Sequence, residues 1–472
     1  MQFKNLTPFD AMAYSAIDVG DEEHHIVAMA VGYRLERSEH GWTAHLIEDT
    51  PLPLCLADEH WGDPVSTSPA RESDLVPFKP RCDVTVRGHA HAPGGRAARQ
   101  WTAHLWLTVR PSYTVSEPEP PAPLNPRMAL TESQRQMEMA QRLAWQRAQA
   151  EAQARPPKTV LDKKLSIFGP SHYSKRPLLG WRRSRIQPTT SVPLRWENSF
   201  GGQSRVIKCI AIPARNREAG GPEFEERTLL NEVCFSNPFG CGWVHKGWWS
   251  ALGKAKLARP KHLPAPQVMA WGSKPPSVPK LFKHPKGEQD ARAMQKIAAR
   301  YGITPDNFAV RGKAWAPRLV LAGTYDEQWL ETRHPGLPKD FNMAFWNGAP
   351  ADQQIDFPDP TQNLTLHTAG LLPGGEAMSL ALPPHRAFAL IRFEDGVVLP
   401  FPMAVDLIEL DTGDSETAPT LRLVWRTSVP RALKVRVAEA RFEMDPKAPL
   451  LKLLPSADYQ APHRSELEAA HG

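Results

Sequence analysis

The sequence predicts a mainly β protein: antiparallel sheets, sandwich- or barrel-like, in two β-rich units, with one long inserted helix and a few short helices. Three observations carry this expectation. The 48 prolines among 472 residues are roughly twice the usual share of about 5%, which interrupts long helices and stiffens the loops between short strands. Trp101-Thr-Ala-His-Leu-Trp-Leu-Thr-Val109 alternates apolar and polar residues, the pattern of a strand with one buried face. Met128 to Ala154, in contrast, holds no Gly or Pro and is dominated by Ala, Gln, Arg, Glu and Met, which are good helix formers.

Taken in order, His25–Leu35 and Trp42–Ile47 flank Ser38-Glu-His-Gly41 and read as a hairpin. Cys82-Asp-Val-Thr-Val-Arg-Gly88 and Trp101–Val109 read as strands of one antiparallel sheet, joined through His91-Ala-Pro-Gly-Gly95. The helix opens on Thr131 and Gln134, the spacing of a capping box. Pro188–Cys209 resumes short strand patterns, and Asn231–Trp249 is a loop system rich in Gly and Trp. Lys254–Lys286, with seven prolines, reads as an extended surface loop. Asp290–Tyr301 reads as a short helix ended by Gly302. Strand signals return over Leu364–Leu382, Phe388–Phe393, Val397–Pro402 and Leu421–Trp425. The expected units are 1–110, an N-terminal β unit; 111–158, a Pro-rich linker with the helix; 159–360, a central unit of strands and loops; 361–446, a C-terminal β unit; and 447–472, a polar tail.

Charge is segregated. Residues 127–185 carry thirteen Lys or Arg against four acids, and residues 254–286 carry seven Lys and Arg259 with no acid. Under a net charge of +6 the remainder is therefore acidic, and such patches steer partners. Nucleic acid is set aside, because the lysines are diluted by prolines and no known binding motif accompanies them. An acidic protein surface is the better fit.

The cysteines, Cys55, Cys82, Cys209, Cys234 and Cys241, are odd in number and form no CxxC pair, as reduced cytoplasmic thiols would. The first residues lack the apolar core of a signal peptide, and no run of 18 apolar residues occurs. A cytoplasmic protein without a membrane partner is expected.

His89 and His91 would share a face of a strand, but two ligands do not define a zinc site, so they read as surface structure and no metal is expected. Asp326, Glu327, Asp340, Asp352 and Asp356 invite a reading as paired carboxylates of glycoside chemistry. Asp326 and Asp340, however, sit where Asp ties back to nearby amides. No GxSxG, HExxH or GxxxxGK[ST] pattern occurs. Neither a catalytic residue nor a cofactor is assigned.

The most informative stretch is Arg318-Leu-Val-Leu-Ala-Gly-Thr-Tyr-Asp-Glu-Gln-Trp-Leu330, with Leu337-Pro-Lys-Asp-Phe341 and Asn347-Gly-Ala-Pro-Ala-Asp-Gln353 behind it. It reads as a strand entering a turn at Gly323, Thr324, Tyr325 and Asp326, with Trp329, Asp340 and Phe341 completing it. This stretch resembles a bacterial family, number 2169 among the domains of unknown function. The resemblance extends to Ser73–Val84, Gly88–Pro93, Asn198-Ser-Phe-Gly-Gly202, Asn237-Pro-Phe-Gly-Cys-Gly242 and Leu421-Arg-Leu-Val-Trp-Arg426.

The resemblance implies an adaptor or chaperone of the type VI secretion system that escorts an effector with a PAAR-like tip domain onto the VgrG spike; no catalytic residues come with it. It also implies that residues 111–158 are an insertion at a hairpin tip, read as a solvated arm with partner docking as the alternative. Candidate contact residues are Trp243, Trp248 and Trp249, the basic loop with Trp271, Lys274, Lys280 and Lys283, and the Tyr325–Trp329 turn, whose rings otherwise read as core. The alternative function is a carbohydrate-binding or carbohydrate-processing β protein using Trp platforms and the carboxylates above.

Overall fold

The computed structural model describes residues 1–39, 41–64, 67–110, 131–154, 156–200, 206–212, 221–230, 262–275, 306–359, 363–413, 417–446 and 448–451. The chain is mainly β, with several antiparallel sheets and few helices, and no closed barrel forms among the described residues. No helix among them is long and apolar enough to cross a membrane.

The largest sheet runs in the order Gln354–Ile355, Cys82–Arg87, Ala404–Asp411, Thr420–Pro430, Glu23–Ser38 and Asp10–Ile17, with Gly41–Leu46 pairing the far end of Glu23–Ser38. Only Cys82–Arg87 beside Ala404–Asp411 is parallel within it. A five-stranded sheet has the order Val268–Ala270, Lys158–Phe168, Gln100–Arg110, Asn363–Ala369 and Met378–Ala381. A four-stranded sheet has the order Gln2–Asn5, Val435–Glu443, Arg386–Phe393 and Val398–Pro402. Strands from both ends of the chain thus pair within common sheets.

All three sheets line one apolar core. Alternation aims Val27, Met29, Val31, Tyr33 and Leu35 into it from one strand, and Leu421, Leu423 and Trp425 from the next. Leu105 and Leu107, Leu165 and Ile167, and Ala438 and Ala440 meet them from the other two sheets. Each such side chain contributes roughly 1.5–3 kcal/mol when fully buried, Ala less. The opposite face of the large sheet carries Ala28, Ala30 and Val424, covered by Leu54. The covering segment passes so near that a Cβ on Gly32 would lie 2.7 Å from Leu52 Cγ.

The expected hairpin forms over Glu23–Ser38 and Gly41–Leu46. The helix spans Glu132–Ala154, and its cap is the expected box: Gln134 N donates to Thr131 Oγ1 at 3.3 Å and Thr131 N to Gln134 Oε1 at 2.9 Å. The strands on either side of it pair with each other, Val109 opposite Lys158, so the helix rises from a hairpin tip.

Several expectations are corrected. Cys82–Arg87 and Gln100–Arg110 lie in different sheets. The first is buried on both faces over five successive residues, as a central strand with a parallel neighbour is. Arg318–Ala322 is not a strand: Ala316–Leu319 is a short helix, because Arg318 Nη2 and Nε reach the Phe345 carbonyl at 2.6 and 3.1 Å and curl the chain back. Within the basic loop, His262–Pro264 pairs with His172–Arg176 and Val268–Ala270 with Lys158–Phe168, Pro264 standing at the end of its strand, where no donor is required. Asn231–Trp249 and Asp290–Tyr301 lie outside the described residues.

Candidate functional site

Three of the motifs singled out in the sequence, Ser73–Val84, Asn347–Gln353 and Leu421–Arg426, converge on the charged face of the large sheet. Alternation along Thr420–Pro430 sends Arg422 and Arg426 to the side opposite Trp425. Arg422 pairs with buried Asp74 and donates to the Pro53 carbonyl at 3.3 Å. Arg426 pairs with buried Asp406, meets Tyr14 Oη and donates to the Val76 carbonyl at 3.1 Å. Burial, chiefly, pushes the Tyr14 hydroxyl up to about 12. Arg71 Nη2 reaches Glu409 Oε1 at 2.6 Å. Burial alone would push the Glu409 carboxyl up, but Arg71 and Arg422 outweigh it and hold it below its ordinary value.

Ser73–Val84 and Asn347–Gln353 meet in the same layer. Asp83 pairs with Lys79 at 3.1 Å and accepts from Asn347 Nδ2 and Gly348 N, both at 3.0 Å. Gln353 Nε2 donates to the carbonyls of Val84 and Phe308 at 2.8 and 2.9 Å. Arg318 pairs with Glu72 and donates to the Arg311 carbonyl at 2.6 Å. Every one of these charges has a partner, so the layer fixes the covering segments in place.

The Gly323 turn stands on that support and faces solvent. Gly323 has φ 78°, and a Cβ there would lie 2.9 Å from Pro338 Cβ and 3.0 Å from Phe341 N. Thr324 N and Oγ1 donate to Asp340 Oδ1 and Oδ2 at 2.9 and 2.8 Å. Asp326 caps the helix Glu327–Thr332 by accepting from Trp329 N at 2.8 Å. Trp329 Nε1 donates to the Gly336 carbonyl at 2.9 Å, and its ring stands edge-on to Tyr325 at 4.8 Å. Phe341 alone of the predicted turn residues is buried. The expectation that the turn's rings enter the core is corrected for Tyr325, which is 54% exposed, as is Leu330 at 60%, while Trp329 is half-buried.

Arg333 fastens this turn to the hairpin between Asp10–Ile17 and Glu23–Ser38. Its Nη1 and Nη2 reach Asp21 Oδ2 and Oδ1 at 2.6 and 3.0 Å, and Nη2 meets the Val19 carbonyl at 3.3 Å. Beside it lies an apolar groove of about 270 Å³ lined by Ile17, Val19, His24, Phe78 and Met343 among others. A second, polar hollow of about 150 Å³ is lined by Thr324, Asp326, Trp329, Arg333 and Asp340. The groove was not legible in the sequence, since its walls come from four distant segments, 16–26, 77–78, Met343 and Ser428; Pro77-Phe78 within Ser73–Val84 was the available signal.

The remaining candidates disperse. Asp352 pairs with Lys163 at 2.9 Å and Asp356 with Arg81 at 3.2 Å, away from Asp326 and Asp340. Trp271 is exposed with Lys164 Nζ 5.2 Å above its ring, and Lys274 is exposed nearby. Trp243, Trp248, Trp249, Lys280 and Lys283 lie outside the described residues. His89 and His91 stand 6.1 Å apart with no third metal-type ligand grouped with them among the described residues. Asp18, Glu22 and His24 form the one such group there, their ligand atoms within 4.8 Å of one another. Cys55 and Cys82 are free and buried.

No curated protein and no solved structure matches the chain. A family model does match, over residues 20–115 and 139–426, which include Arg422, Arg426, their partners Asp74 and Asp406, and the Gly323 turn. The chain belongs to DUF2169, the family described as an uncharacterized protein conserved in bacteria.

Proposed function

We propose that the chain is a non-catalytic adaptor or chaperone that binds a type VI secretion effector with a PAAR-like tip domain in the bacterial cytoplasm and helps load it onto the VgrG spike. The observation that carries this reading is the exposed pair Tyr325 and Leu330 on a turn locked beside an apolar groove. Apolar surface of this kind marks interaction sites, and a rigid aromatic anchor is a common source of binding energy. The turn's carboxylates are committed to backbone amides and a hydroxyl, which favours a role in shape over proton transfer.

Co-expression with a PAAR-like effector tests the reading. The pair should co-purify, and Tyr325→Ser with Leu330→Ser should weaken the complex by about tenfold or more while circular dichroism stays unchanged. A sugar that binds at micromolar concentration where no effector does would overturn the reading in favour of the carbohydrate alternative.

A further inference from the structure

We propose that the hairpin formed by His172–Arg176 and Gly180–Arg183 receives an extended acidic polypeptide segment, which adds as a strand beside Gly180–Arg183. Three observations meet there. The three-stranded sheet has the order Gly180–Arg183, His172–Arg176, His262–Pro264, so Gly180–Arg183 is an edge with no further strand pairing among the described residues. An open edge is a template for another chain.

The hairpin is also uniformly cationic. Lys175, Arg176, Arg182, Arg183 and Arg185 cluster on it, no Asp or Glu occurs between Asp162 and Glu197, and none of the five has an ion-pair partner among the described residues. This contrasts with Arg71, Arg318, Arg422 and Arg426, all paired. Guanidinium groups match carboxylates in a fork, a geometry a solvated lysine face does not offer.

The tip departs from what local chemistry favours. Leu178 is 108% and Leu179 60% exposed, and Leu178 sits at φ 62°, a conformation that disfavours L-residues by roughly 1–2 kcal/mol. Asn or Gly would relieve both the backbone and the exposure. Two leucines held out in this way gain by being covered when a partner docks. A bilayer could take up the leucines and cations, but it offers no row of amides and carbonyls to pair the open edge; a polypeptide offers all three.

The probe is a fluorescent peptide of about ten residues alternating Glu with Val, a usual upper strand length, followed by anisotropy with the full chain. Companion probes are the same peptide N-methylated along one edge, and phosphatidylglycerol vesicles. The unmodified peptide should bind, more weakly as salt rises. Arg182→Gln with Arg183→Gln, Leu178→Ser with Leu179→Ser, and N-methylation should each weaken it by about tenfold. The N-methylated peptide leaves the protein untouched, so its loss of binding cannot reflect misfolding. Absence of binding up to about 1 mM, binding that survives N-methylation or the Arg changes, or vesicles that bind while the peptide does not would overturn the inference. The proposed effector contact through Tyr325 and Leu330 has a separate readout, so either idea can fail alone.

Discussion

The Asp83 carboxylate accepts the Gly348 amide at 3.0 Å across 265 residues of sequence. The same carboxylate holds Lys79 at 3.1 Å, with both side chains buried. Removing it leaves a buried ammonium without its ion-pair partner and removes the hydrogen bonds to Asn347, Gly348 and Ala349 together. Asp83→Ala should therefore lower unfolding free energy by about 3–5 kcal/mol, measured by urea titration. An effect near zero would show that this clamp does not hold the covering segment.

Gly323 is required by its backbone. Gly323→Ala places a methyl against Pro338 and the Phe341 amide at φ 78°, which should cost about 1–3 kcal/mol. The damage should be local, seen as faster hydrogen exchange from Thr324 to Phe341 with the core amides unchanged.

The long helix should be dispensable for folding. Val109 faces Lys158 across the hairpin it interrupts, so replacing residues 111–157 with a short Asn-Gly turn should leave the melting temperature within a few degrees of the parent, roughly a change under 1 kcal/mol. A collapse in stability would mean that the insertion buries apolar surface.

Glu409 predicts acid sensitivity. Its folded carboxyl titrates below the ordinary value because Arg71 and Arg422 outweigh burial. A group depressed on folding contributes its full stability above the unfolded value, about 4.3, and loses it as pH falls through the folded value. Denaturant midpoints should drop below that point, and Glu409→Gln should flatten the decline while lowering stability at neutral pH.

Burial, followed by the carboxylates of Asp74 and Glu59, pushes the Cys55 thiol up to about 12, and burial also raises the Cys82 thiol well above its ordinary value. Both should resist a thiol reagent at neutral pH until urea opens the fold. Rapid labelling of Cys55 in the native protein would contradict its place beneath the covering segment.

The sequence by itself determined the β class and several elements outright. Trp101–Val109 is legible because one of its faces is apolar and period two reports a face, and His25–Leu35 because it is a run of apolar, β-favouring residues. Thr131 with Gln134 marked the helix start because capping is a contact within four residues. Ala404–Asp411 and Val435–Glu443 escaped notice because Asp406, Glu409 and Glu439 interrupt their apolar patterns. Asp406 and Glu409 are paired by cations of other strands, Arg426 and Arg71, and Glu439 by Arg392 of the neighbouring strand together with Arg441 of its own. Strand partners, the joining of both chain ends in common sheets, the groove between Ile17, Phe78 and Met343, and the outward Gly323 turn were decided by tertiary structure alone. Alternation specifies which side chains share a face, whereas the identity of the covering segment depends on charges and shapes brought together over hundreds of residues.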